Sequence, residues 1–600
     1  MTAVGNGRGD HRRDGGVALL EIAPREDTRL PVAGRPRVPG WTLLFLLPAV
    51  LLAGSLLAVP LAVTFVRSWI VEGGPGVANY LSVLGDGQTR HAIWNTLQWI
   101  LFAPAVCVCG GLLLALLVRY SGPWRSLLLA AAAAPFAVSA FVTGLTFRLL
   151  FDPDPDRGTV SALVATLGGS EGGVVLLDPS GIAWVLGFAF VWGWLGATLV
   201  VLGTGAPTLP PELRRVGRAY GIRRQRWLGS VVLPALRPVI AVALLTVLVA
   251  AARVFDLVLA AAPGSVQNDA EVVGLHWWRW QDDLGAGASA ALAVLPAAAL
   301  SVAALATVWL LGRWWPAPEP PTSPESDLPR TRPLRLVVRI SGALIVVASL
   351  APLLVLLLTS LRSPRDAATG GWWQAGWGLE SYRAAFASGE LTDALGSTAI
   401  RATVATALLL LCAVPAAYAM AWGALPRAAV RTLGIGFAVL AVVPVQAVAD
   451  PLSAALRGAR LAGAPTALTL LHVAFGIPFA VLLLRAVFRG VPQREVMRAR
   501  HGDPNPGTAL LAVVSRCWPA LLAVGVFEFV QVWNDFVVGL LLGGPENNLV
   551  TLVIQGQARQ FGTSWGVTAA GALATLIVPL VLVLTTGRWV ARGFIAGMAR

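Results

Sequence analysis

The chain has 600 residues, of which 56% are hydrophobic and 13% are charged, and its mean hydropathy is +0.71. Soluble domains carry roughly 25% charged residues, so this composition excludes an ordinary water-facing protein and favours one that spans a membrane many times. The formal net charge is +14, but the arginines lie in short segments between apolar runs rather than in one stripe, which argues against nucleic-acid binding.

The apolar runs begin after residues 1–40, a Gly- and Arg-rich segment that we interpret as a disordered cytoplasmic tail. A span needs about 20 apolar residues, and about twelve runs reach that length. The first is interpreted as an uncleaved anchor because no A-x-A cleavage site follows it. The predicted spans lie near 42–66, 96–118, 126–150, 182–204, 236–259, 288–312, 338–361, 399–422, 431–451, 466–488, 518–543 and 567–590.

The placement of arginine predicts the orientation of these spans. Arginines concentrate in every second loop, for example at 214–226 and 489–500, whereas opposite loops such as 152–156 and 269–283 are richer in acid. Because cytoplasmic loops carry an excess of basic residues, we expect both termini in the cytoplasm.

A Pro- and charge-rich segment, WWPAPEPPTSPESDLPRTRP, interrupts the chain between the sixth and seventh predicted spans. Such a composition is typical of linkers. We therefore predict an all-α membrane protein with two six-helix halves: a first domain at 41–312, a cytoplasmic linker at 313–337 and a second domain at 338–600.

The loops between the fourth and fifth spans of the two halves resemble each other. In each loop a Pro opens the segment, a Gly follows, and a second Pro lies 17 residues after the Gly. These residues are Pro210, Gly221 and Pro238 in the first half and Pro492, Gly502 and Pro519 in the second. Pro suits a first helical turn and Gly permits a sharp turn between helices. The pattern predicts a helix–turn–helix on the cytoplasmic face, which is either a docking element or an ordinary amphipathic surface helix.

The absence of lysine limits what the chain can do alone. All 45 basic residues are arginines, and a standard phosphate-binding loop requires a lysine. Any ATPase that acts with this chain is therefore expected to be a separate subunit, and the chain itself is expected to need no cofactor.

The duplicated loop resembles the coupling loop of binding-protein-dependent ABC importer permeases. Motifs on either side are similar to the carbohydrate-uptake group of that family, which includes the maltose and glycerol-phosphate importers. They include FVWGWLGATLVVLGTGAPTLPPEL in the first half, and FEFVQVWNDFVVGLL and SWGVTAAGALATLIVPLVLVL in the second. The resemblance covers about 41–312 and 338–600. It implies two fused permease subunits in a prokaryotic plasma membrane, and a small solute that is a sugar or sugar-like. It also implies two copies of an ABC ATPase subunit and an extracytoplasmic solute-binding protein as partners.

Both loops depart from the family pattern. A Glu commonly lies six residues before the loop Gly, and an Asp directly precedes that Gly. The first half instead has Arg215 and Tyr220, and the second has Val496 and His501, with Glu495 displaced by one position. The docking surface is thus either matched to a divergent ATPase or poorly coupled to it.

Polar residues inside predicted spans are candidates for the solute path, because such residues are costly in lipid and usually face a cavity or a partner. The strongest is Glu528, deep in the eleventh span, although a purely structural role is equally consistent with the sequence. Arg253 and Asp256 are one helical turn apart, so they could simply pair with each other. The complete set is Glu528, Gln531, Trp533, Asn534, Asp535 and Asp256, with His472, Gln446, Arg253, Trp192 and Trp194 as weaker candidates.

Two other functions compete with transport. A polytopic transferase would need acid/base or metal groups gathered at one membrane face. Only Asp152, Asp154 and Asp156 are so clustered, and FDPDPDRG is more typical of a Pro-stiffened turn. A permease relic that no longer transports is the third interpretation, and the loss of the loop acids favours it.

Overall fold

The computed structural model describes most of the chain between Pro39 and Met598. The described residues are 39–71, 74–118, 121–168, 174–205, 226, 229, 233–313, 332–363, 372–373, 376–502, 505–544, 547–560 and 565–598. Within them the protein is almost entirely helical, and a two-stranded hairpin pairs Ile70–Val71 with Gly74–Pro75. The all-α prediction is therefore confirmed.

The helices up to the predicted linker alternate long apolar segments with short ones. The first, α1, is continuous over Gly40–Ser68 but is π-helical at Gly54–Ala58. A 3-10 turn, Ala134–Ala137, continues α4. The others in this part are α2 (Ala78–Gly85), α3 (Gly87–Val118), α4 (Arg125–Ala133), α5 (Ala140–Leu150), α6 (Thr159–Thr166), α7 (Ile182–Gly205), α8 (Leu233–Ala252), α9 (Asp256–Ala261), α10 (Val273–Trp280) and α11 (Ala286–Arg313).

The helices after the predicted linker follow a similar order. They are α12 (Arg332–Leu361), α13 (Glu380–Phe386), α14 (Glu390–Trp422), α15 (Arg427–Val442), α16 (Gln446–Gly458), α17 (Pro465–Arg489), α18 (Gln493–Gly502), α19 (Pro506–Trp533), α20 (Val537–Leu542), α21 (Val550–Gln560) and α22 (Trp565–Met598). Among the described residues, nine helices are long and apolar enough to cross a membrane, or up to eleven if two bent pairs each count as one span. The number twelve stays a prediction.

The bent pairs occupy corresponding places in the two parts of the chain. The segment Arg125–Ala137 meets α5 at 96°, and α15 meets α16 at 92°. The fifth predicted spans are interrupted as well: α8 ends at Ala252 before α9, and α19 ends at Trp533 before α20. Phe255 and Phe536 directly precede α9 and α20, and both have non-helical backbones.

Local hydrogen bonds recur at matched positions near the start of each part. The hydroxyl of Ser68 lies 2.7 Å from that of Tyr80, and the hydroxyl of Ser360 lies 2.9 Å from that of Tyr382. Asn79, which precedes Tyr80, donates to the carbonyl of Ile70, two residues after Ser68. Ser381, which precedes Tyr382, donates to the carbonyl of Arg362, two residues after Ser360. The same side-chain contacts therefore fix the short helices α2 and α13 against the preceding long helices.

A second matched set fixes α10 and α21. The N–H of Val273 donates to Thr96 Oγ1 at 2.9 Å, and the N–H of Val550 donates to Thr398 Oγ1 at 3.1 Å. Each bond satisfies a backbone donor of the first helical turn, which lacks a partner within the helix. These threonines lie in the equivalent helices α3 and α14. The two parts therefore share side-chain contacts as well as the order of their helices, and the apolar pattern alone does not predict such contacts.

The first long helix of each part packs against the other part. Leu46, Ala49 and Ala53 of α1 are buried in one core cluster with residues of α14 and α17. In the opposite direction, Leu356 of α12 joins the core around α5 and α7, and Trp192 Nε1 of α7 donates to the carbonyl of Ser349 at 3.2 Å. The two parts are thus interlocked rather than merely side by side.

Candidate functional site

Only one of the two predicted coupling loops lies in the described part of the chain. Pro210, Arg215, Tyr220 and Gly221 of the first loop lie outside the described residues. In the second loop, α18 begins directly after Pro492, whose carbonyl accepts the N–H of Glu495 at 2.9 Å. The first helix of the expected helix–turn–helix is therefore present, with His501 exposed near its end.

The second helix of the expected pair is not a separate element. Asn505 caps the next helix by accepting the N–H of Gly507 at 2.9 Å, and Pro506 occupies its first turn. The helix α19 then continues through Pro519 to Trp533. The expectation of two short helices between the spans is wrong for this loop, because the apolar sequence after Pro506 leaves nothing to end the helix before the span begins.

The family's missing acid has a structural explanation in α18. Val496 is 1% exposed and belongs to the core cluster formed with α14, α17 and α19. A carboxylate at this position would have to leave water for an apolar core, which costs free energy. Glu495 lies at the surface instead, with Oε2 3.3 Å from Arg516 Nε of α19. The acid displaced by one position therefore occupies the accessible side of the helix.

Arg500 joins α18 to both parts of the chain. Its Nη2 donates to the carbonyl of Trp422 at 2.8 Å, and its guanidinium carbon lies 5.5 Å from the ring centre of Trp41 and 5.9 Å from that of Tyr418. Trp41 belongs to α1, whereas Tyr418 belongs to α14. A displacement of α18 would therefore be transmitted to helices from before and after the linker.

Two of the predicted path residues, Arg253 and Asn534, lie beside the interruptions of the fifth spans. The rings of Phe255 and Phe536 are 6.4 Å apart, which brings the two interruptions together. Asn534 Nδ2 donates to the carbonyl of Ala137 at 3.2 Å. Arg253 Nη2 donates to the carbonyls of Val443 and, at 3.3 Å, Ala441.

Asp256 does not pair with Arg253. Its Oδ1 accepts the N–H of Leu257 at 3.1 Å, and no ion pair joins the two side chains in the part of the chain that the structure describes. The pairing suggested by their spacing is wrong because α8 ends at Ala252 and the chain turns before α9 begins. The i, i+3 relation that the spacing assumes therefore never forms.

Asp535 has a structural role at the start of α20. Its Oδ1 accepts the N–H of Val538 at 3.2 Å, and Oδ2 accepts the N–H of Gly539 at 2.9 Å. His472 Nε2 lies 3.2 Å from Oδ2, an ion pair only when the ring is protonated, and Nδ1 faces the carbonyl of Leu468. Asp535 thus ties α20 to α17.

The other candidates of the eleventh span point in different directions from α19. Glu528 is 6% exposed and lies beside Gly476 of α17, where an added Cβ would be 2.3 Å from Glu528 Oε2. Gln531 is exposed. Trp533 is buried and donates Nε1–H to the carbonyl of Thr575 at 2.9 Å. The contacts of Glu528 and Trp533 are thus with α17 and α22 of the same half.

The weaker candidates lie mainly in helix contacts. Gln446 is buried, and its Nε2 would be 3.1 Å from a Cβ on Gly274 of α10. The Trp194 ring packs against Phe136 and Phe190 with centroids 5.4 and 6.1 Å apart.

The acidic cluster of Asp152, Asp154 and Asp156 forms turns. Asp152 accepts the N–H of Asp154, and Asp154 accepts that of Asp156. Burial raises the pKa of Asp152 above its ordinary value.

Reasoning from the sequence misses two buried polar groups. Arg401 Nη2 donates to Asn547 Oδ1 at 2.8 Å, and His276 lies between Glu271 (2.8 Å) and Thr89 (2.9 Å). An arginine within the apolar run of α14 is a visible signal for the first group. For the second, Thr89 is far from the other two residues in the sequence, so spacing gives no indication.

The architecture is that of a polytopic membrane permease with interlocked repeats, and comparisons with known proteins agree. Residues 108–313 match the family of binding-protein-dependent transport system inner membrane components. An osmoprotective compounds uptake permease of Synechocystis sp. is 30% identical over 42% of this chain and 87% of its own length. An alpha-glucoside transport system permease of Rhizobium meliloti is 32% identical over 33% of this chain and 54% of its own length.

Other relatives cover similar lengths. A trehalose transport system permease of Mycobacterium tuberculosis is 26% identical over 43% of this chain and 94% of its own length. A solved bacterial ABC transporter involved in alginate import is 20% identical over 45% of this chain and 94% of its own chain, with a TM-score of 0.39.

The chain belongs to the family of binding-protein-dependent transport system inner membrane components. It is a multi-pass inner-membrane permease component of an ABC importer. The transferase interpretation is set aside because the family and the relatives are transport permeases and not enzymes.

Proposed function

We propose that the chain is the complete membrane pathway of an ATP-driven importer for sugars or sugar-like solutes, formed by two fused permease domains at 41–312 and 338–600. The recurrence of the same side-chain hydrogen bonds at Ser68–Tyr80 and Ser360–Tyr382 carries this proposal. It supports one permease unit present twice. The solute class comes from the relatives, whose names include alpha-glucoside and trehalose transport.

Two ATPase subunits dock on the coupling loops, around Gly221 and Gly502, and an extracytoplasmic solute-binding protein delivers the solute. ATP hydrolysis then drives alternating access at the interface between the domains. Both termini and the linker 313–337 lie in the cytoplasm, as the distribution of arginine favours. The partly exposed Glu495 and the accessible arginines of α18 form part of the docking surface, while Arg500 transmits its movement to α1 and α14. The residues proposed for the solute path are Glu528, Gln531, Trp533, Asn534, Asp535 and Asp256.

The test is reconstitution of the chain with the ATPase subunit and the solute-binding protein of the same organism. Co-purification of both partners and ATP-dependent uptake of a labelled sugar into proteoliposomes are expected. Failure to bind any ATPase under conditions where ordinary permeases do so would reject the proposal. ATPase binding without uptake of any solute would favour the relic interpretation.

Arg500→Met tests the transmission step separately. Methionine keeps an apolar stem but removes the hydrogen bond to Trp422 and the contact with the two aromatic rings, which together contribute about 2 kcal/mol. ATPase binding is expected to persist while uptake per ATP hydrolysed falls severalfold. Arg427→Met is the control, because Arg427 is exposed at the start of α15, outside the proposed docking surface; equal losses in both variants would contradict the role given to Arg500.

A further inference from the structure

Arg253 and Asn534 occupy equivalent positions in the two halves. Each lies two residues before the phenylalanine that precedes a six-residue helix, α9 or α20. The phenylalanines have similar non-helical backbones, with φ, ψ of −141°, −65° at Phe255 and −124°, −45° at Phe536. The equivalence therefore rests on the backbone as well as on the order of elements.

Both side chains reach into the opposite half, and both donate to the same kind of acceptor. Arg253 donates to the carbonyls of Ala441 and Val443, at the end of α15. Asn534 donates to the carbonyl of Ala137, the last residue of the 3-10 turn that follows α4. Each acceptor thus lies where the third predicted span of the other half bends by more than 90°.

The acceptors are groups that need an outside donor. The last carbonyls of a helix have no partner within it, and a sharp bend prevents the next helix from supplying one. A guanidinium is especially favourable at such an end, where the helix dipole is negative. Arg253 Nε has no hydrogen-bond partner among the described residues, and the carbonyls at the end of α15 are the acceptors given for this side chain.

We propose that Arg253 and Asn534 are a matched pair of positioning residues, each of which caps the bent third span of the opposite half. Together they hold the two halves in contact at the interruptions of the fifth spans.

The experiment measures the contact between halves without any partner. Cysteines replace Gly274 of α10 and Gln446 of α16, which approach each other across the two halves. A protease site in the linker 313–337 separates the halves unless a short bifunctional thiol reagent has joined them. The chain without the two introduced cysteines is the blank, because four natural cysteines are present.

Arg253→Met is expected to lower the rate of cross-linking about tenfold, and Asn534→Leu about threefold, because a hydrogen bond from a charged group is the stronger one. Arg253→Lys retains a charged donor and should restore cross-linking to within about twofold of the parent. Arg401→Met is the matched control, because Arg401 is another buried arginine whose partner, Asn547, lies in its own half. Its cross-linking rate should equal that of the parent.

Unchanged cross-linking in both Arg253→Met and Asn534→Leu would overturn the proposal, as would an equal loss in Arg253→Lys and Arg253→Met. If Arg253→Met is not recovered from the membrane, the cross-linking rates of Asn534→Leu and Asn534→Ser are compared instead. Serine keeps a hydroxyl donor, so Asn534→Ser should cross-link faster than Asn534→Leu. Co-purification with the ATPase is measured on the same variants. Failure of that binding in the parent chain would count against the proposed function and leave the cross-linking result intact.

Discussion

At the residue scale, polar groups inside the membrane core of this permease make different kinds of contact. Asn534 and Arg253 satisfy carbonyls of the opposite half, whereas Glu528 lies against a glycine within its own half. Gly476 leaves the space that the carboxyl group fills, because a Cβ there would be 2.3 Å from both Glu528 Oε2 and Leu409 Cδ1. Depth in a span alone therefore does not indicate which groups a polar side chain contacts.

Gly476→Ala is expected to destabilise the chain by roughly 1–3 kcal/mol, because the added methyl group overpacks a filled site. The melting temperature of the purified protein in detergent is the measurement. Gly436→Ala in α15 is the control, since no atom lies within 4 Å of the position that a Cβ would take there and alanine should be neutral or stabilising. A Gly476→Ala variant as stable as the parent would show that Glu528 has room to move.

At the scale of elements, α18 has a valine where the family commonly has an acid, and it carries a glutamate one position earlier. The side chain at position 496 faces the core and that at 495 faces outward. One residue of displacement along a helix rotates a side chain by about 100°, which is enough to exchange the two environments.

Val496→Glu, which restores the acid that the family commonly has at this position, is expected to reduce stability by several kcal/mol rather than improve coupling. The reason is that the carboxylate would leave water for the apolar core between α18 and α14. Met497→Glu, at a position 41% exposed on the same helix, is the control and should be tolerated. Both variants are compared by membrane yield and melting temperature; equal behaviour would contradict the orientation described for α18.

The sequence predicts these elements better than their interruptions. Apolar runs locate the long helices, and the Pro–Gly–Pro spacing locates α18. The breaks at Val254 and Asn534 are not predictable in this way, since neither contains Pro or Gly and the few polar residues at each break lie within a long apolar run. The partners of Arg253, Ala441 and Val443, lie in the other half, and long-range backbone acceptors leave no local mark in a sequence.

At the scale of the whole molecule, the halves are interlocked by their first helices. Trp41 of α1 packs against Tyr418 of α14 with ring centres 5.9 Å apart, and Leu356 of α12 is buried with the core of the first half. The apolar pattern predicts each of these helices but not the half on which it packs, because lipid and protein interior are equally acceptable to an apolar surface.

A chain split within 314–331 and expressed as two fragments is expected to reassemble, and the fragments should co-purify in a one-to-one ratio. Deleting residues 40–68 from the first fragment should lower the yield of the second fragment severalfold, because α1 covers part of its core. Affinity purification through a tag on the second fragment measures both effects. Equal recovery of the second fragment with and without α1 would contradict the interlocked arrangement.

The exchange of first helices also has a consequence for biogenesis. Trp41 is synthesised long before its neighbour Tyr418. The surface of α1 that packs against α14 therefore has no protein partner until most of the polypeptide has been translated. Because the halves are joined in one chain, α1 stays covalently connected to α14 and α17, against which it later packs. A covalent connection therefore shortens a search that separate subunits would have to make by lateral diffusion.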